Sequence, residues 1–219
     1  LPLKHFSWKR QSMHTRVVLS TTFALLLFGT LLLKLTESIS WLGAFFYSVS
    51  ARTAGFSTYN LSDFSTAGLL VVSGLMFIGA SPASTGGIKT TTFFVLLSGI
   101  YSAATNHSER AFHNAIPKDA FRKASVISML AVFLVMTASY LMLIFDPQLS
   151  LRDVLFEMIS AFSTSGLSTG ITPQLSAQSR ILSIIMMYIG RLGPLTVASL
   201  WYFTIGERVR YPEGTIAIG

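Results

Sequence analysis

The chain has 219 residues, of which 51% are hydrophobic and only 11% charged, and its mean hydropathy is +0.60. These values are too apolar for an ordinary soluble domain of this length and indicate a membrane protein. Cysteine is absent, which excludes a disulfide framework, a thiolate metal site and a cysteine nucleophile. The net charge of +7 does not indicate nucleic-acid binding, because the basic residues form short stretches that flank apolar segments.

The first half contains one membrane-length stretch followed by one of half that length. Residues 17–33 follow a basic segment at 1–16, are uncharged and apolar, and are about as long as a membrane-crossing helix requires. Residues 41–51 form a second apolar run, which would reach only about half-way through the hydrocarbon at about 1.5 Å per residue. The loop at 53–58 follows directly. We therefore expect a re-entrant segment whose irregular backbone faces protein or a wet cavity.

Residues 64–105 are predicted to form a broken helix. They carry one charge, Lys89, and a single straight helix of this length would extend about 60 Å, twice the thickness of the hydrocarbon. A run of small residues with Gly and Pro at 79–87 supplies the interruption. An unwound segment at membrane depth is usually functional, because lipid offers no partners to its freed N–H and C=O groups.

The same plan recurs 111 residues later, an offset that relates Gly55 to Gly166 and Ile78-Gly79 to Ile189-Gly190. After a polar stretch at 106–123, the sequence predicts a full span at 124–145, a half-length helix at 151–161, a loop at 163–170 and a returning span at 181–205. We infer an all-α membrane protein with two tandem helix–pore loop–helix units, at 17–105 and 124–206. An intramembrane loop at 79–89 interrupts the first unit, and a tail at 207–219 follows the second.

Charge distribution predicts the orientation. Ten of the sixteen Lys and Arg residues lie in the N-terminal segment, the central loop and the tail, which this order of spans places on one face. They are Lys4, Lys9, Arg10, Arg16, Arg110, Lys118, Arg122, Lys123, Arg208 and Arg210. By the positive-inside rule that face is cytoplasmic. The acidic pair Asp153 and Glu157 is interpreted as marking the outer side of the second unit.

The two Gly-centred loops are the candidate ion site. A short helix whose carboxyl end points into a cavity contributes about half a negative charge there, and the following carbonyl groups can replace the water shell of a cation. A plain turn after a buried helix would explain one such loop, but two copies in register favour the ion site. The candidate ligands are the carbonyl oxygens of Thr53, Ala54, Gly55, Thr164, Ser165 and Gly166. A cation of this kind needs about six to eight oxygens, so two loops supply half of a filter.

Two charges are predicted at membrane depth, Lys89 and Arg191. Arg191 corresponds to Ala80, where the first unit begins its break, and we expect it to hydrogen-bond the freed carbonyl groups of residues 81–87 and to obstruct cation flow. A purely structural role for Arg191, and a snorkelling role for Lys89, remain alternatives. Arg52 is expected to brace the first loop from behind. The candidate gate residues are Ser81, Pro82, Ser84, Thr85, Gly86, Gly87, Lys89 and Arg191.

The sequence does not indicate an enzyme. Residues 166–170 match G-x-S-x-G, but a nucleophile elbow requires a preceding strand and a His partner. All four His residues lie in the basic flanks, so none is expected to reach Ser168.

Several motifs in combination resemble the Ktr/Trk/HKT superfamily of potassium transporters, and most closely the membrane subunit of bacterial Ktr systems. They are Arg52 to Phe56, Phe77 to Lys89, Ser160 to Pro173, Ile189 to Thr196, and Arg210 to Gly214. The loop at 84–89 has one Gly fewer than the family's usual Ser-Thr-Gly-Gly-Gly-Ile-Lys.

The resemblance implies that the chain is repeats three and four of a four-repeat pore, the C-terminal half, with the amino-terminal half missing. It implies filter and gate roles for the residues named above, K⁺ as transported ion, sodium-stimulated uptake with Na⁺ as a second ion, and a bacterial cell membrane location. It also implies a homodimer and a cytosolic regulator-of-conductance ring that binds ATP or ADP and docks on the basic face. A membrane scaffold for a cytosolic partner, without its own ion path, is the alternative from another class.

Overall fold

The computed structural model describes residues 11–79, 86–105, 110–112 and 114–193, which are mainly helical. The helices are α1 (Met13–Thr36), α2 (Trp41–Ser50), α3 (Thr66–Phe77), α4 (Thr90–Thr105), α5 (Lys118–Phe145), α6 (Leu151–Ser163) and α7 (Ala177–Leu192), with 3₁₀ turns at Leu61–Asp63 and Thr172–Gln174. Two-residue strands β1 (Arg110–Ala111) and β2 (Asn114–Ala115) pair antiparallel within the predicted central loop. The predicted all-α class is confirmed apart from this small hairpin.

Within the described residues, α1 and α5 are the helices long and apolar enough to cross a membrane. Both begin earlier than their apolar stretches predict, α1 at Met13 and α5 at Lys118. Polar residues extend each helix, because they tolerate helical geometry and lie beyond the apolar segment. Large apolar side chains on both helices are exposed, such as Phe23 on α1 and Phe133 on α5, as expected of surfaces that face lipid.

The two short helices are buried against the long ones. Each is capped by a serine whose hydroxyl accepts a hydrogen bond from the third backbone N–H: Ser40 Oγ from Gly43 at 3.0 Å, and Ser150 Oγ from Asp153 at 3.2 Å. α2 packs against α1, whereas α6 packs against α3, α5 and α7. Both helices therefore begin at a defined point and end inside the protein.

The two larger apolar clusters of the described core each contain residues of both halves of the chain, and a third, smaller cluster contains Val17, Ala111 and Ile116. The first surrounds Tyr47 and Val72 and also contains Phe156 and Leu167 from the second half. The second surrounds Met158 and Phe162 and also contains Ile88, with Phe77 packed against it. The two halves consequently interlock around the carboxyl ends of α2 and α6.

The order of elements recurs at the offset of 111 residues. The 3₁₀ turns match at this offset, and so do the first residues of α3 and α7. Each returning helix is tied to the end of the preceding long helix by its capping serine. Ser65 donates through N and Oγ to Glu37 Oε1, at 2.9 and 2.6 Å, and Ser176 donates likewise to Asp146 Oδ2, at 3.1 and 3.0 Å.

The two returning segments differ where the first is interrupted. α3 ends at Phe77 and α4 begins at Thr90, and the ends of the gap are joined by a parallel bridge between Ile78 and Ile88. By contrast, α7 continues to Leu192, four residues beyond the position that corresponds to Phe77. The rest of the predicted span, to residue 205, lies outside the described residues.

Candidate functional site

The first loop leaves α2 with alternating backbone handedness. Thr53 has φ 78° and Gly55 φ 75°, whereas Ala54 between them has negative φ. The N–H groups of Ala54 and Gly55 both donate to Ser50 O, at 3.0 and 3.1 Å, so they are used to cap the helix. Alternation of this kind turns successive carbonyl groups to one side, away from the amides.

The second loop repeats this conformation. Thr164 has φ 53° and Gly166 φ 86°, and Ser165 between them has negative φ. Thr164 N donates to Ala161 O and Ser165 N to Ser160 O, each at 3.1 Å. The left-handed threonines are unusual for a β-branched residue and store strain at both helix ends. The glycines locate both loops in the sequence, but nothing there indicates left-handed threonines.

The structure brings the two loops into contact at their glycines. A β-carbon built at Gly55 would overlap Ser165 O and lie 3.6 Å from Gly166 Cα. One built at Gly166 would lie 4.0 Å from Gly55 Cα, with nothing nearer. Gly55 is thus required by both its angle and its surroundings, whereas Gly166 is required by its angle alone.

The carbonyl oxygens of the six predicted ligand residues accept no hydrogen bond from the described part of the chain. The hydrogen bonds that these residues form use their amides or side chains instead. The carboxyl ends of α2 and α6 lie immediately before these oxygens, and both add partial negative charge. Unpaired carbonyl oxygens at converging helix ends can hold a cation stripped of its water.

Different side chains hold the two loops. In the first, the hydroxyl of Tyr47 donates to Tyr59 O at 2.6 Å and accepts from Tyr59 N at 2.9 Å, and Ser50 Oγ donates to Phe56 O. Arg52 is also buried beside this loop, with 8% of its surface exposed, and its Nε has no hydrogen-bond partner among the described residues. The bracing role expected of it stays a prediction.

The second loop is held by a carboxylate instead, that of Glu157. Glu157 Oε2 accepts from Ser168 Oγ at 2.8 Å, and Oε1 accepts from Thr172 Oγ1 at 2.6 Å. Glu157 is 8% exposed and is therefore buried in the protein, whereas the interpretation that it and Asp153 mark the outer side stays a prediction. Its helical spacing from buried Val154 and Ala161 could have indicated an inward position.

The described ends of the intramembrane loop lie against the second pore loop. Gly86 N donates to Thr164 Oγ1 at 3.2 Å, and a β-carbon at Gly86 would lie 2.7 Å from Phe162 O. Gly87 has φ 81°. Ser81, Pro82, Ser84 and Thr85 lie outside the described residues. The segment therefore returns to the protein directly beside a candidate filter residue.

The two predicted membrane-depth charges lie at helix ends. Lys89 is exposed and directly precedes α4, and Arg191 is exposed in the last turn of α7. Gly190, next to Arg191, packs against the carbonyl group of Phe162. Arg191 is expected to contact residues 81–87, of which 81–85 lie outside the described residues.

Two half-length helices thus end at adjoining loops whose carbonyl oxygens accept no hydrogen bond from the described residues. The chain belongs to the TrkH family, whose model is described as a cation transport protein and matches residues 12–204. The resemblance inferred from the motifs is thereby confirmed, and the relatives that the chain matches are transport proteins rather than enzymes.

The chain is similar to several named transport proteins. It is 37% identical to Ktr system potassium uptake protein B of Vibrio alginolyticus, over 94% of this chain and 48% of that protein. It is 31% identical to potassium/sodium uptake protein NtpJ of Enterococcus hirae, over 99% and 52%. The chain therefore spans about half the length of these relatives.

The fold is similar to the crystal structure of the potassium transporter TrkH from Vibrio parahaemolyticus. The TM-score is 0.67 at 17% identity, over 89% of this chain and 45% of that chain. This likeness confirms the transporter fold. With the family it supports a membrane location.

Proposed function

We propose that this chain is the C-terminal half of the pore-forming subunit of a potassium uptake system. Residues 17–105 and 124–206 are its third and fourth repeats. The observation that carries the proposal is the contact between Gly55 and Gly166, each in a loop whose carbonyl oxygens are left unpaired by described residues. The names of the relatives, which are potassium and potassium/sodium uptake proteins, support it, and so does the match of this chain to about half of their length.

In this proposal the carbonyl oxygens of residues 53–55 and 164–166 replace half of the water shell of K⁺. The first two repeats provide the other half. Selectivity follows from the number and spacing of these dipoles, with the helix ends adding negative potential. Na⁺ is a second ion of the pathway, an assignment that the name of NtpJ supports.

The intramembrane loop at 79–89 is the proposed gate, with Arg191 as its electrostatic element. The position of Gly86 beside Thr164 supports this role, since a loop anchored there lies next to the filter. Arg191→Ala should raise ion flux and loosen regulation. An unchanged uptake rate together with an unchanged response to the regulator would contradict the gate.

The proposed protein resides in a bacterial cell membrane, with the N-terminal segment, central loop and C-terminus cytoplasmic. It forms a homodimer, and a cytosolic ring that binds ATP or ADP docks on the basic face. The concentration of basic residues and the word "system" in the relatives' names support this assembly. Because this chain lacks cysteine, Ser62→Cys and Lys123→Cys would test topology with an impermeant thiol reagent on intact cells of a Cys-free subunit. Only Ser62→Cys should be labelled.

Rubidium flux into liposomes that contain the complete subunit tests the function. A potassium pathway gives Rb⁺ uptake that K⁺ inhibits and Na⁺ inhibits weakly. A membrane scaffold gives no uptake above that of empty liposomes, and this outcome would reject the proposal.

A further inference from the structure

Glu157 is a buried charge that the proposed filter does not use as a ligand. It lies in the middle of α6, and an ionised group taken out of water is costly unless hydrogen bonds compensate it. Both carboxylate oxygens accept a hydroxyl hydrogen bond, from Ser168 and from Thr172. The two donors lie after Gly166, on the limb of the chain that leaves the second loop. The carboxylate thus fastens this outgoing limb to the pore helix.

The outgoing limb is itself organised around these hydroxyl groups. Ser168 Oγ lies 2.8 Å from Thr172 Oγ1 and accepts from Gly170 N at 3.0 Å. One carboxylate therefore holds a small network that spans five residues of chain. Removing it would leave two hydroxyl groups without their acceptor and free the limb at two points.

Packing behind the limb is incomplete. A cleft of about 280 Å³ is lined by Glu157, Thr164, Gly166, Ser168, Thr172 and Met187, among others. The carboxylate and two candidate filter residues face the same space, so side chains do not fill the volume between helix and loop there. On this side, hydrogen bonds rather than close packing fix the limb, whereas its Leu167 and Ile171 pack into the two core clusters.

The first loop has no counterpart of this carboxylate. At the offset of 111 residues, Glu157 corresponds to Phe46, Ser168 to Ser57 and Thr172 to Leu61. There the limb is held by Tyr47, which is fully buried and bonds to backbone groups of Tyr59. Among the described residues, a carboxylate bonded to the outgoing limb is a feature of the second loop.

We propose that Glu157 is the positioning residue that sets the geometry of the second filter loop and thereby the ion selectivity of the pathway. This inference rests on the proposed potassium pathway. Glu157 acts through Ser168 and Thr172 and touches no ion. Its removal lets residues 164–168 relax into the cleft, which moves the carbonyl oxygens without unfolding the protein.

The test uses the complete subunit in liposomes, with Rb⁺ and Na⁺ uptake measured separately. Glu157→Gln should lower the Rb⁺-to-Na⁺ uptake ratio about tenfold, because one charge-assisted network becomes a mismatched neutral one. Saturating Rb⁺ flux should change less than the ratio. Asp153→Asn is the matched control, since Asp153 lies one turn earlier on the same helix and pairs with Arg152. It should leave the ratio unchanged.

A second variant keeps the proposal testable if Glu157→Gln fails to assemble. Ser168→Ala combined with Thr172→Val keeps the carboxylate but removes its donors, and should lower the ratio to a similar extent. Adding both changes to Glu157→Gln should then cause little further loss, because the three residues act as one unit. An Rb⁺-to-Na⁺ uptake ratio equal to that of the unsubstituted protein, in either variant, would overturn the positioning role. Absence of Rb⁺ uptake in the unsubstituted protein would instead reject the pathway itself.

Discussion

The loops at 53–58 and 164–169 have the same backbone but different supports. Both alternate between positive and negative φ, and both cap the preceding helix through their amides. A buried cation, Arg52, lies beside the first loop, where the second has Ser163. A buried anion, Glu157, lies behind the second, where the first has Phe46.

This difference separates what forms the loop from what positions it. A helix end followed by left-handed residues is sufficient to expose carbonyl oxygens, and it is common to both halves. The side chains behind the loop have diverged between the halves, so each half can adjust its oxygens independently. Substitutions that affect the shared backbone should therefore cost more than those that affect one support.

The largest effect is expected from Gly55→Ala. The new β-carbon would need a left-handed angle and would overlap Ser165 O, which would force the two loops apart. Gly166→Ala meets the angular penalty alone, about 1–2 kcal/mol, because no atom crowds that position. Gly55→Ala should abolish K⁺-selective Rb⁺ uptake in reconstituted subunits.

Gly166→Ala or Gly166→Ser should erode selectivity for K⁺ over Na⁺ while leaving measurable uptake. Retained selectivity in both Gly166 variants would contradict the filter assignment. Equal losses at Gly55 and Gly166 would show that the inter-loop contact does not matter.

A second prediction concerns Gly190→Ala, a substitution that should weaken the second loop although Gly190 lies outside it. A β-carbon at Gly190 would overlap the carbonyl group of Phe162, two residues before Thr164, so Gly190→Ala should shift the end of α6. We expect a loss of about 1–3 kcal/mol in the free energy of unfolding, measured in detergent. Gly74→Ala on α3 is the control, because a β-carbon there meets no atom within 4 Å. Equal stability of the two variants would argue against tight packing between α6 and α7.

Much of this arrangement could be predicted from the sequence, because it depends on local patterns. Apolar lengths indicated the spans and the half-length helices, and the repeated Gly identified both left-handed bends. The hydrogen bonds of Glu157 and Gly86 could not be predicted this way. Each depends on a partner brought close by the turn of the chain, Ser168 in one case and Thr164, 78 residues away, in the other.

Tyr47→Phe tests the neutral support of the first loop. It removes a hydroxyl group that both donates to and accepts from the backbone of Tyr59, at a cost of about 1–2 kcal/mol. The Rb⁺-to-Na⁺ uptake ratio should fall less than in Glu157→Gln, because neutral hydrogen bonds are weaker than charged ones. Tyr59→Phe keeps the backbone partners and should have no effect on the ratio. A larger loss in Tyr47→Phe than in Glu157→Gln would reverse the proposed ranking of the two supports.

The smallest effect is expected at the hydrogen bonds that Ser176 donates to Asp146, and only in acid. Hydrogen bonds from Ser179 and Ser176 lower the pKa of Asp146 below its usual value, although burial acts in the opposite direction. Because the pKa is lower in the folded than in the unfolded protein, the carboxylate stabilises the fold above the ordinary Asp pKa. That contribution is lost as the pH falls through the lowered pKa. The melting temperature of the complete subunit should therefore drop between about pH 5 and pH 3, and less steeply in Asp146→Asn. An identical pH dependence in the variant would show that this tie does not join α5 to α7 in solution.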